Sequence, residues 1–181
     1  MNKSKLSTRD LCIIAIFTAI IAALAQISVP TPYGISMTMQ TFAIPLAGIV
    51  AGAKRGAIAT LIYIFLGAIG IPVFAGFTGG MGIVFGMSGG FILSFPVLAL
   101  IAGIAESKNN KVWLVSGLFI GAVINFLCGM IWFSVVTSSN LRTAFMLSAL
   151  PFIPTEIIKI VLVIVLGRQI KKSLIKEKVL V

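Results

Sequence analysis

Apolar residues run in blocks of roughly 15 to 25 along the whole chain, and only short clusters of proline, glycine or charge interrupt them. A bilayer-spanning helix needs about 20 such residues. The blocks therefore predict six transmembrane helices, over about 11–29, 38–53, 56–71, 88–105, 112–136 and 154–170. The expected fold is all-α, a single integral membrane domain over 1–181 with no room for a separate soluble domain. The first block is long enough to span, and no small-x-small cleavage site precedes a soluble remainder. It is expected to stay as a helix, not to be cleaved as a leader.

The interruptions carry their own signals. Ser7-Thr8-Arg9-Asp10 has the spacing of a capping box at the start of the first helix. Val29-Pro30-Thr31-Pro32-Tyr33-Gly34 ends that helix, since neither proline continues it. Lys54-Arg55 marks a tight basic turn. Between Pro72 and Gly90 seven glycines stand in an otherwise apolar stretch. Irregular backbone at membrane depth persists only where protein buries it or where it lines a cavity. This segment therefore predicts a re-entrant loop whose backbone groups face a solute. No Gly-Lys-Ser or Gly-Lys-Thr is present, so it is not a Walker A loop. Pro96 is expected to kink the fourth span. Residues 138–153 are mixed and predict a short helix or loop near the surface. Pro154 suits the first position of the sixth helix.

Composition agrees with the pattern. The 181 residues are 59% hydrophobic, and the mean hydropathy is +1.17. A net charge of +10 would suggest nucleic acid in a soluble protein. Here the cations fall into particular loops, which reads as topology. Lys3, Lys5, Arg9, Lys54, Arg55, Lys108, Lys111 and the basic tail occupy one set of connections, and Arg142 alone the other. Both termini are therefore placed in the cytoplasm. With no histidine, and with Cys12 and Cys128 inside apolar runs, neither a metal site nor a disulfide framework is expected.

Apart from Arg168 in the basic cluster that ends the sixth span, two charges fall inside a predicted span, Glu156 and Lys159. Three residues apart, they share one helix face. Embedded charges are costly and mark cavities and function, or else lock a helix to its neighbour. The topology gathers Glu156, the proline-glycine connection and the glycine-rich segment at the outer side, which predicts a pocket open to the exterior. Its candidate walls are Phe42, Tyr63, Phe74, Phe77 and Phe85, with Gln40 and the loop N–H groups of Gly76, Gly79 and Gly80 as neutral hydrogen-bonding partners. Asn125, at mid-depth, either bonds a neighbouring helix or meets the ligand. A small, mostly apolar ligand with one carboxylate and an amide-like group suits such a pocket; a sugar or a metal ion does not. In the first span Ala15, Ala19 and Ala23 form a stripe on which a second helix can approach closely, or which serves ordinary internal packing.

Several segments resemble a known family. They are Gln40-Thr41 with Pro45-Leu46-Ala47-Gly48, the block from Tyr63 to Gly76, Gly79-Gly80, Gly86-Met87-Ser88-Gly89-Gly90-Phe91, and the block from Pro151 to Lys159. Together they resemble BioY, the biotin-binding membrane (S) component of energy-coupling-factor (ECF) transporters, over nearly the whole chain. Where that family usually reads Gly-Pro-Thr-Gly-Gly-Tyr this chain has Gly86 to Phe91, and Glu156 stands where the family usually carries aspartate. The resemblance implies a multi-pass protein of the bacterial plasma membrane that captures biotin from outside. It implies partners too, a transmembrane coupling protein and two ABC-type ATPases, with ATP held by them and no cofactor in this chain. It assigns Lys159 and Glu156 to biotin. Lys159 is expected at the carboxylate with Glu156 accepting from a ureido N–H, or, reversed, Lys159 donates to the ureido oxygen. The Ala15, Ala19 and Ala23 stripe becomes the docking face for the coupling protein. Three other readings stay open: an S component for riboflavin or thiamine, an autonomous carrier, and a membrane enzyme. The missing histidine and the single embedded acid weigh against the last.

Overall fold

The computed structural model describes residues 6–32 and 34–177. Lys3, Lys5 and Lys178 of the basic bias, and Tyr33 of the first connection, lie outside the described residues. Helix α1 spans Thr8–Ala25. Its capping box forms as expected: the Ser7 N–H donates to the Asp10 carboxylate at 2.9 Å, and the Asp10 N–H to Ser7 Oγ at 3.2 Å. Two otherwise unpaired donors at the helix start are thereby satisfied.

The helix stops at Ala25, short of the predicted Val29, because the chain turns into a small ribbon. Ser28–Val29 (β1) pairs antiparallel with Met37–Thr38 (β2). This two-stranded ribbon of four residues is an addition to a fold that is otherwise helical, as expected. A hairpin lets the connection pair its own backbone groups at the membrane end, where an open loop would leave them unpaired.

Helices α2 (Gln40–Ala51) and α3 (Ala53–Ala68) are joined through Gly52 alone, at φ +93°. At about 1.5 Å per residue, α2 is only ~18 Å long, well under the ~30 Å of a bilayer core. Its position explains its shortness. Every residue of α2 except Thr41 is buried, and it packs against α1, α3, α5 and α8. Close backbone approach makes this possible. A Cβ on Gly48 would run into the Ala99 carbonyl, and one on Gly56 would meet the Gly48 backbone at 2.7 Å. Small residues at such crossings are how membrane helices gain contact without a hydrophobic driving force between them.

A single turn, α4 (Met81–Val84), precedes α5 (Gly89–Ser107), which carries Pro96 inside it. Then come α6 (Lys111–Thr137), the short α7 (Leu141–Ser148), a 3-10 turn over Leu150–Phe152, and α8 (Ile153–Lys176). The short helix expected within 138–153 is α7. The last helix runs six residues past its predicted end at Ile170, because its basic continuation stays helical and is tied back to the bundle. Among the described residues four helical stretches are long and apolar enough to cross a membrane, including α1, α5 and α6. One hydrophobic cluster draws on all six long helices.

Charge sorts to one end. Arg55 pairs with Asp10 at 2.6 Å, and Glu106 receives Arg168 Nε at 3.1 Å and Lys171 Nζ at 3.5 Å. The start of α1, the α2–α3 turn and the ends of α5 and α8 therefore meet on one side, which the positive-inside rule assigns to the cytoplasm. Glu106 corrects a sequence expectation. Read as part of a polar loop, it is buried to 7% exposure in the last turn of α5, so Glu156 and Lys159 are not the only charges enclosed by the bundle. An unpaired carboxylate there would be strongly unfavourable, and two cations from α8 compensate it.

Candidate functional site

At the opposite end, the β-ribbon, the glycine-rich segment, α7 and the start of α8 enclose a cavity of about 220 Å³. Helix α8 supplies its charges. Phe152 is the N-cap residue, with Pro154 at the second helical position, where a missing N–H breaks no helical bond. Glu156 then lies in the first turn, near the positive end of the helix dipole. Lys159 follows one turn later, with Nζ 3.6 Å from Glu156 Oε2. They are only 6% and 7% exposed.

A third residue joins them. Thr41 of α2 donates its hydroxyl to Glu156 Oε2 at 2.7 Å and accepts from Lys159 Nζ at 3.0 Å. Next to it, Gln40 is held on both sides. Its Nε2 donates to the Tyr63 hydroxyl at 2.6 Å, and its Oε1 accepts from Thr38 at 2.8 Å. Across the cavity, Asn125 of α6 donates from Nδ2 to the Phe91 carbonyl at 3.0 Å and to Ser94 Oγ at 2.7 Å. Both amide hydrogens are committed to α5, and the carbonyl oxygen remains as the side chain's acceptor toward the cavity. Phe74, Phe91, Phe95, Phe126 and Phe152 supply aromatic faces to the rest of the wall, among isoleucines and small hydroxyl side chains.

The structure thus brings Glu156, Lys159, Gln40, Phe74 and Asn125 to one cavity. Tyr63, Gly76, Gly79 and Gly80 are not on its wall. Tyr63 is fully buried behind it, bonded to Gln40 and packed edge-on against Phe74 with ring centroids 5.5 Å apart. The glycine-rich segment also differs from its expected role of displaying N–H groups to a solute. Gly80 N–H donates to the Gly67 carbonyl at 2.6 Å, Phe74 N–H to Thr78 at 2.9 Å, and Phe77 N–H to Gln26 Oε1 at 2.8 Å. These N–H groups are spent within the segment, on α3 and on Gln26 at the end of α1. Gly76 and Gly80 adopt φ of +67° and +101°, values that favour glycine. The segment shapes the wall through Phe74, Ala75 and Thr78. Of the other expected wall residues, Phe42 is buried in the core, while Phe77 and Phe85 point outward.

Sequence reasoning missed Thr41 as a site residue, together with Ser88, Phe126 and Ser148. Thr41 had a signal in standing beside Gln40. Ser88 had one in lying within the Gly86–Phe91 motif, whereas Phe126 and Ser148 had none, because one small or aromatic residue in a helix looks like any other.

Chemically, the cavity offers an ammonium and a carboxylate side by side, an amide oxygen opposite, and aromatic walls between. Its volume is below the ~300–1,000 Å³ of drug-sized sites, which suits a compact ligand. Among the described residues, no group of three or more His, Cys, Asp or Glu is placed to hold a metal ion. On the outer surface of α1, Ala15, Ala19 and Ala23 are all exposed along one face, with Ile14, Thr18 and Ile21 buried on the other.

A helical membrane bundle with a small, charge-bearing cavity at the end away from its basic loops is the architecture of a transporter's substrate-binding component. Its backbone matches the crystal structure of "the S-component for biotin from an ECF-type ABC transporter" with a TM-score of 0.83 and 28% identity, over 95% of this chain and 94% of that one. The chain belongs to the BioY family, whose model matches residues 1–176. A Pyrococcus horikoshii protein named "Probable biotin transporter BioY" is 36% identical over 92% of this chain and 98% of its own length. The "Biotin transporter BioY2" of Lactococcus lactis is 34% identical over 96% and 95% respectively. The chain is therefore a multi-pass membrane protein of a transporter family, not an enzyme.

Proposed function

We propose that this chain captures biotin from the outer side of the membrane and delivers it to the ATP-driven module of an ECF importer. The observation that carries the reading is the Glu156–Lys159 pair, enclosed with Thr41 in a compact aromatic cavity. Biotin offers a fused ureido ring, a thioether and a valerate carboxylate. Its ureido group and its carboxylate sit at opposite ends of the molecule. Two side-chain atoms 3.6 Å apart therefore address one end of the ligand together, not one end each.

The ureido end suits the pair better. A cyclic urea presents an N–H beside a C=O, and Glu156 accepts while Lys159 donates. A ligand carboxylate there would place two anions around one ammonium, and the pair is already neutral. The geometry thus favours the second of the two expected assignments, Lys159 on the ureido oxygen. Aromatic side chains pack the rings, with Gln40 and Asn125 as neutral contacts, and the valerate chain runs toward the open side of the cavity.

Delivery requires partners: a transmembrane coupling protein and two ABC-type ATPases that hold the ATP. The Ala15, Ala19 and Ala23 face of α1, small and exposed, suits close helix docking by the coupling protein.

Calorimetric titration of the purified chain in detergent tests the reading. Biotin is expected to bind, whereas riboflavin and thiamine are not. Binding of either of those in place of biotin would move the chain to another vitamin. Biotin uptake by the chain alone in liposomes, without ATP, would favour an autonomous carrier.

A further inference from the structure

Thr41 is the only residue of α2 that is not buried, and it reaches both charges of α8. Its hydroxyl carries one hydrogen. That hydrogen goes to Glu156 Oε2, 2.7 Å away, and a lone pair receives Lys159 Nζ at 3.0 Å. The order ammonium, hydroxyl, carboxylate is the only polarity in which all three groups are satisfied.

This arrangement answers a physical problem. A lysine and a glutamate one turn apart in a dry site should close to a direct contact of about 2.8 Å, the distance of charge-assisted hydrogen bonds. Here they stand at 3.6 Å, with the Thr41 oxygen wedged against both. The wedge diverts one ammonium hydrogen and leaves the others free. Among the described residues, the second carboxylate oxygen of Glu156 receives no protein donor. Donor and acceptor are thus presented side by side instead of neutralising each other.

We infer that Thr41 is a positioning residue, holding Lys159 and Glu156 apart so that both face the ligand. The inference rests on the ureido reading above. It also predicts that the hydroxyl, not the methyl group, is what matters.

The test combines binding and structure. Thr41→Val, or Thr41→Ala should the valine variant fail to fold, is expected to bind biotin at least about tenfold more weakly, the loss of one hydrogen bond to a charged group. Thr41→Ser is expected to bind within about threefold of the parent chain, since it keeps the hydroxyl. Biotin methyl ester should lose affinity by the same factor as biotin. Unchanged binding in Thr41→Val, or a serine variant as weak as the valine one, would overturn the inference.

The ligand-free structure of the hydroxyl-less variant supplies a readout that needs no biotin. Lys159 Nζ is expected to close onto Glu156 to below about 3 Å; a separation still at 3.6 Å would overturn the positioning role. If the parent chain binds no biotin at all, the functional reading fails alone, and this structure still decides the role of Thr41.

Discussion

Lys159 Nζ lies 3.6 Å from Glu156 Oε2, one helical turn away on α8, with both side chains almost sealed from solvent. A buried charge pair is weak support for stability, because desolvation offsets most of its attraction. Removing one partner is another matter, since it leaves a lone charge in an apolar site. Lys159→Ala is therefore expected to weaken biotin binding at least about tenfold, corresponding to ~1.5–3 kcal/mol for a charged hydrogen bond. Titrating biotin and biotin methyl ester in parallel locates the contact. Equal losses place Lys159 at the ureido ring, and a loss confined to biotin places it at the carboxylate.

Tyr63 acts on the cavity from behind its wall. Tyr63→Phe keeps the ring against Phe74 but removes the oxygen that receives Gln40 Nε2 at 2.6 Å. A buried donor left without an acceptor costs about 1–3 kcal/mol. Thermal unfolding in detergent should show the variant destabilised, with biotin binding a few-fold weaker as Gln40 turns to find another partner.

Packing around α2 gives a contrast between two glycines. A Cβ at Gly48 would collide with the backbone of Ala99, which cannot move without separating α2 from α5. Gly48→Ala is expected to destabilise the bundle by about 1–3 kcal/mol, the range for overpacked cores. Gly82 has nothing within 4 Å of the same added atom. Gly82→Ala should stay within about 0.5 kcal/mol of the parent in the same unfolding assay.

The α1 face separates capture from delivery. Ala19→Trp places a large ring on an exposed surface away from the cavity, so biotin binding by the purified chain should be unchanged. Energised uptake in cells that supply the coupling protein and ATPases should fall sharply. Undiminished uptake would remove this face from the docking surface.

Much of this molecule was legible as pattern. Membrane spans announce themselves because a bilayer demands long apolar runs, and the capping box Ser7–Asp10 was legible because its bonds join near neighbours in the chain. Glu156 and Lys159 stood out because so few charges sit in apolar runs. The same reasoning misjudged Glu106, whose partners Arg168 and Lys171 lie more than sixty residues away. It also read the glycine-rich segment as a display of N–H groups. Whether such groups face a solute or another carbonyl depends on where Gln26, Gly67 and Thr78 lie.

By itself, the sequence determined that the chain crosses a membrane, which loops carry its basic charge, and which helix carries the embedded charges. Those properties follow from local hydropathy and from charge counted loop by loop. Only the tertiary structure decided that α2 sits at the centre and sends Thr41 between Glu156 and Lys159. It also decided that Tyr63 supports the wall instead of forming it, and that Asn125 commits its amide hydrogens to α5. The reason is physical: hydrogen bonds and close packing join residues by distance in space, and distance along an apolar helix carries almost no record of which neighbour will stand beside it.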